Sequence, residues 1–85
     1  MSSDLEAAWA ALDAATPPGW WVGRPSLHEE RDEWQMYAFD PSERPVVGVR
    51  SREWTATAPR EVGQLGVVLE MARCLREISA GRVPK

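Results

Sequence analysis

The chain is poor in the residues that carry most small-protein chemistry. In 85 residues it holds one cysteine, Cys74, one histidine, His28, one lysine, one tyrosine and one phenylalanine. A lone cysteine excludes an internal disulfide framework and any zinc site built on clustered cysteines. No apolar run approaches the roughly 18 residues that cross a bilayer, and no basic stretch followed by an apolar one opens the chain. No membrane association is therefore expected, and a cytoplasmic location is the default. A glycine-rich phosphate loop, a dinucleotide fingerprint and a nucleophile elbow are all missing, so no cofactor is expected. What is there is the balance of a globular protein, 44% hydrophobic and 27% charged. So short a chain has room for one core, which predicts a single domain over residues 1–81 and a short tail, 82–85.

Charge bounds the partners. A net charge of −3 argues against a protein whose main task is neutralising phosphates. The charge is unevenly spread, however. Residues 1–43 carry nine acids against two arginines, a balance of −7, and residues 44–85 carry eight cations against four acids, a balance of +4. The two halves can pair within one fold. They can also support head-to-tail self-association or a basic patch for an acidic ligand.

The first segment reads as a helix. Ser3 and Glu6 have capping-box spacing, with Ser3 as N-cap, and Leu5, Ala8, Trp9, Leu12 and Ala15 recur at helical spacing. Thr16-Pro17-Pro18-Gly19 ends it, because prolines remove donors and push the preceding residue out of the helical region. Three strand-like segments follow. Trp20 to Leu27 is interrupted by Gly23 and Pro25, which predicts an edge or a bulge in its later half. Glu29 to Glu33 reads as a charged hairpin tip. Trp34 to Phe39 is the clearest strand, and Asp40-Pro41 after it favours a type I turn. The third strand is expected over residues 50–58, beginning as early as Val46.

The final segment is a second helix. Pro59 suits its first position, and Val62, Leu65, Val68, Leu69, Ala72, Leu75 and Ile78 repeat at helical spacing. Val67, Met71 and Cys74 widen that apolar sector, leaving Glu70, Arg73 and Glu77 as the wet side. Gly63 and Gly66 cost about 1 kcal/mol each relative to Ala, which predicts irregular first turns. Gly81 is placed for a left-handed cap. The expected architecture is a two-layer α+β domain in the order α-β-β-β-α. A three-stranded antiparallel sheet carries both helices on one face.

Five tryptophans are many for this length. Each can bury about 150–250 Å², so Trp9, Trp34 and Trp54 are assigned to the core. Trp20 and Trp21 are neighbours on a strand and point to opposite faces. Tyr37 and Phe39 likewise alternate against Trp34, Met36 and Ala38. Both faces of the second strand are therefore apolar, yet one face alone meets the helices. Some of Trp21, Tyr37 and Phe39 must lie on the open face. There they meet a partner, a dimer mate, a nucleobase or the chain's own Pro41–Gly48 loop.

Catalytic signals are weak. His28-Glu29-Glu30 with Asp32 and Glu33 offers one imidazole and several carboxylates on a turn, better read as a solvated tip than as a metal site. Cys74 has no histidine to activate it and reads as a small buried hydrophobe. Arg44, Arg50, Arg52 and Arg60 surround the third strand. They either pair with the acidic Glu29–Glu33 segment across the sheet or contact nucleic acid or an acidic protein.

The α-β-β-β-α order is similar to that of double-stranded RNA-binding domains, over nearly the whole chain. That family contacts phosphates with a lysine-rich start to its last helix. Pro59-Arg60-Glu61-Val62-Gly63-Gln64 here has one cation beside one acid. The three strands and final helix also loosely resemble HicB-type antitoxins. Pro17-Pro18-Gly19-Trp20 and Met71-Ala72-Arg73-Cys74-Leu75-Arg76-Glu77-Ile78 look like segments of small proteins of actinobacteria and their phages, a likeness that implies no activity. The residues point to a non-enzymatic binding module with a protein partner or a second copy. Trp21, Tyr37 and Phe39 form its interface, rimmed by Arg52. The alternative is a nucleic-acid accessory or antitoxin-like regulator using Arg44, Arg50, Arg52 and Arg60.

Overall fold

The computed structural model describes residues 2–51 and 60–81, and the side chains from residue 4 and, in the last helix, from residue 63. Helix α1 spans Ser2–Ala15, strands β1 to β4 span Trp21–Val22, Ser26–His28, Glu33–Phe39 and Pro45–Ser51, and helix α2 spans Arg60–Ser79. The protein is α+β, with an antiparallel sheet. The sheet has four strands rather than the expected three. The difference lies in the first strand, which Gly23 and Pro25 split in two. Trp21 and Val22 pair with Phe39 and Ala38, whereas Ser26, Leu27 and His28 pair with Gln35, Trp34 and Glu33. Residues 23–25 thus oppose only Met36 and Tyr37, a bulge of one extra residue. The Gly23 N–H still donates to the Tyr37 carbonyl at 2.9 Å, so β1 and β2 flank the same edge of β3.

On the other edge β3 pairs with β4 from Trp34↔Ser51 to Ala38↔Val47, and then Phe39 pairs with Pro45. Val46 is therefore extra and marks a second bulge. The strand expected from Val46 or residue 50 onward begins at Pro45, one residue before the earlier start, and the rest of its expected span, residues 52–59 with Arg52 and Trp54, lies outside the described residues. The turn between β3 and β4 explains the early start. Asp40 and Arg44 close a three-residue loop in which the Glu43 N–H donates to the Asp40 carbonyl at 2.8 Å and Glu43 adopts φ 68°. The Pro41–Gly48 segment is thus half strand, and does not fold over the sheet.

Helix α1 closes where expected. The Thr16 amide and hydroxyl both donate to the Leu12 carbonyl, at 3.0 and 2.7 Å. A turn then follows in which the Trp20 N–H donates to the Pro17 carbonyl at 3.1 Å and Gly19 takes φ 82°, the third position of a type II turn. At the other end α1 already includes Ser2, so Ser3 lies inside the first turn instead of capping it. Helix α2 ends at Gly81, whose φ of 83° and bond to the Ile78 carbonyl make the expected left-handed cap.

Alternation along β3 sets the layers. Trp34, Met36 and Ala38 are buried with Ala8, Leu12 and Ala15 of α1, Val49 of β4 and Val67, Val68, Met71, Ala72, Cys74 and Leu75 of α2 in one cluster. Helix α2 lies directly on β3 and β4, and α1 packs against α2. Leu69 departs from the expected stripe and is 48% exposed. It stands about 100° around the helix from Val68, outside the sector that α1 and the sheet reach. Gly63 does not make the first turns irregular, because helix α2 runs unbroken through it. The missing side chain instead admits the Trp34 indole, and an added Cβ would lie 2.5 Å from its Nε1.

Candidate functional site

The odd-numbered side chains of β3 face away from the helices, and cross-strand register assembles the rest of that surface. Trp21 opposes Phe39, and their rings stack with centroids 4.2 Å apart at 10°. Tyr37 opposes Gly48 and lies over it, so that a Cβ at Gly48 would stand 2.9 Å from the Tyr37 ring. Glycine there is what lets the phenol lie flat. Trp21 remains 49% exposed, Tyr37 42% and the bulged Val46 50%, with Phe39 half-buried. The structure therefore brings Trp21, Tyr37 and Phe39 together on an open face, uncovered by loop 41–44.

The face changes character toward the β2–β3 turn. Glu33 was expected on the solvated tip but is only 3% exposed. It begins β3 opposite His28, accepts a bond from Gln35 Nε2 at 2.8 Å and has Arg50 Nε at 4.0 Å. Extension of the strand to Glu33 turns its carboxylate back over Gln35 and Arg50. The surface thus runs from stacked aromatic rings at one end to a polar ladder at the other.

The two of Arg44, Arg50, Arg52 and Arg60 whose side chains are described each face an acid. Arg50 pairs with Glu33, and Arg44 pairs with Asp40 at 3.8 Å across its own turn. Cross-strand neutralisation by Glu33 follows the expected pairing, whereas Arg44 meets an acid that sequence reading had given only a turn role. Asp40 Oδ1 accepts from the Ser42 hydroxyl at 2.6 Å and from the Ser42 and Arg44 amides at 2.9 and 3.1 Å. Those donors, the Ser42 hydroxyl first, hold its carboxyl below the usual aspartate value. Arg52 and the Arg60 side chain lie outside the described residues.

Cys74 is buried, and burial pushes its thiol up, away from nucleophilic chemistry. Among the described residues no three His, Cys, Asp or Glu side chains come together to hold a metal, and no helix is long and apolar enough to cross a membrane.

The sequence does not foretell a further surface, a cleft beside the sheet. Where α1 ends beside β1, a cleft of about 430 Å³ is lined by Trp9, Asp13, Trp20 and Trp21 together with Leu12 and Pro17. Trp9, assigned to the core, packs against it but is only partly buried, and its remaining surface faces this cleft. Two signals could have located this cleft: the i,i+4 spacing of Trp9 and Asp13 on α1, and the tight Pro17–Trp20 turn that folds β1 back beside them.

The chain matches no known protein-family model, curated protein or solved structure.

Proposed function

We propose that this protein is a non-enzymatic binding module that engages a protein partner, a second copy of itself included, through the open face of its sheet. The observation that carries the reading is the exposure of Trp21 and Tyr37 on the face that holds the Trp21–Phe39 stack. Aromatic residues held rigidly by strand pairing lose little freedom on binding and dominate interface energetics. Arg50 and Gln35, at the polar end of the same face, supply a rim that sets register. The paired state of Arg44 and Arg50 supports a protein partner over a phosphate backbone, which needs free cations.

The test is Tyr37→Ala, a half-exposed position whose truncation spares the core. Light scattering across a concentration series should show wild-type association that the variant loses, or a captured partner should be absent from the variant. A wild-type monomer whose partners all survive Tyr37→Ala and Trp21→Ala would refute the reading. Salt-dependent nucleic-acid binding that survives Tyr37→Ala and weakens in Arg50→Glu would replace it.

A further inference from the structure

We infer that the cleft between the end of α1 and β1 is a binding site for an organic cation, of the methylated-ammonium class. Three of the five tryptophans, Trp9, Trp20 and Trp21, line this one cleft. Indole faces carry negative quadrupole potential and are the strongest side-chain partners for a soft cation. The fourth wall residue that bears on charge is Asp13, which is exposed and has no ion-pair partner among the described residues. The end of α1 reinforces it. Leu12, Asp13 and Thr16 belong to the C-terminal end of α1, the negative end of its dipole, and the last turn of α1 holds no basic residue. The Thr16 hydroxyl is already committed to the Leu12 carbonyl, which leaves Asp13 as the polar anchor.

These features select against other occupants. An anion would meet a carboxylate and the negative end of a helix. A small metal ion would find a single carboxylate and no imidazole, too few oxygen donors to replace its hydration shell. A neutral apolar group would gain from the indoles but nothing from Asp13. A methylated ammonium uses both, because it is large, weakly hydrated and still charged. The volume of about 430 Å³ lies within the range of small-ligand sites. The inference stands apart from the sheet-face reading, since Asp13 belongs to the cleft alone and Tyr37 to the face alone.

The test follows the indole N–H resonances during titration with tetramethylammonium chloride, with tert-butanol as neutral counterpart and sodium chloride at matched ionic strength. Tetramethylammonium should shift the signals of Trp9, Trp20 and Trp21 in a saturable way and leave buried Trp34 in place. Asp13→Asn, an exposed position that keeps the fold, should weaken that response about five-fold, equivalent to about 1 kcal/mol. Equal response to tert-butanol, no saturable shift, or undiminished binding by Asp13→Asn would overturn the inference. Wild-type association retained in Asp13→Asn and lost in Tyr37→Ala would show the two surfaces to be separate.

Discussion

Replacing Gly63 by alanine sets two opposed effects against each other. Alanine removes the helix penalty of glycine, a gain of up to about 1 kcal/mol. Its Cβ would stand 2.5 Å from Trp34 Nε1, 3.0 Å from Cε2 and 3.2 Å from Cζ2, where ordinary contact begins at 3.4 Å. Either the indole or the first turn of α2 must therefore move by about 1 Å. Trp34 cannot swing aside, being 2% exposed and pinned between Leu27 and Ser51 in the sheet. Overpacking of this kind costs about 1–3 kcal/mol, so the net loss should be about 1–2 kcal/mol. For a domain whose total stability is on the order of 4–13 kcal/mol, that lowers the melting temperature by about 4–15 °C. Urea denaturation followed by circular dichroism measures it. A second arm isolates the cause. Trp34→Phe removes the indole nitrogen, which is buried without a hydrogen-bond partner among the described residues, and shortens the ring. In that background Gly63→Ala should cost at least about 1 kcal/mol less, a coupling of the size neighbours show in double-mutant cycles. A stabilising Gly63→Ala, or one that costs the same beside tryptophan and phenylalanine, would refute the close approach.

Two further outcomes follow from the β3–β4 turn. Glu43 holds φ 68°, a left-handed conformation that costs an L-residue roughly 1–2 kcal/mol, against the extra chain entropy of glycine of roughly 0.5–1 kcal/mol. Glu43→Gly should therefore raise stability by about 0.5–1 kcal/mol, and an unchanged or lower melting temperature would contradict the turn geometry. Asp40 has its folded pKa held below the unfolded value of about 3.9 by the donors in the same turn. Its contribution is complete above that unfolded value and is lost as pH falls through the lowered folded one. Melting temperatures of wild type and Asp40→Asn should differ at neutral pH and converge toward acid; a gap that stays constant with pH would exclude the ionised carboxylate as its cause.

Much of the layering was legible because burial in this fold obeys local periodicity. The period of two in Trp34–Phe39 placed Trp34, Met36 and Ala38 inward and Tyr37 outward, as observed. The helical spacing of Leu12, Val67, Met71 and Leu75 likewise marked residues that are fully or almost fully buried. Strand boundaries were less legible: Gly23 and Pro25 signalled a bulge, but periodicity does not show that a bulge parts two strands or where the next strand opens. One residue inserted at Gly23–Pro25 turned one expected strand into two, and one at Val46 let β4 open at Pro45, just ahead of the earliest expected start. Leu69 shows the same limit from the helical side. An apolar residue at a plausible spacing is buried only if another element reaches that sector, and none among the described residues covers it.

The surfaces themselves divide along the same line. Trp21, Tyr37 and Phe39 could be placed together because strand alternation acts between immediate neighbours and needs no knowledge of the rest of the fold. The cleft could not, because it depends on how far the Pro17–Trp20 turn carries Trp20 and Trp21 back toward Trp9. Composition shows an excess of indoles but not which of them share a cavity. Trp21 makes the point: its ring stacks on Phe39 across the sheet, while the same residue lines the cleft beside α1. A residue at the edge of a small sheet can border two surfaces because no further strand lies beyond β1 to separate them among the described residues. A partner on the open face and a ligand in the cleft would therefore have Trp21 in common.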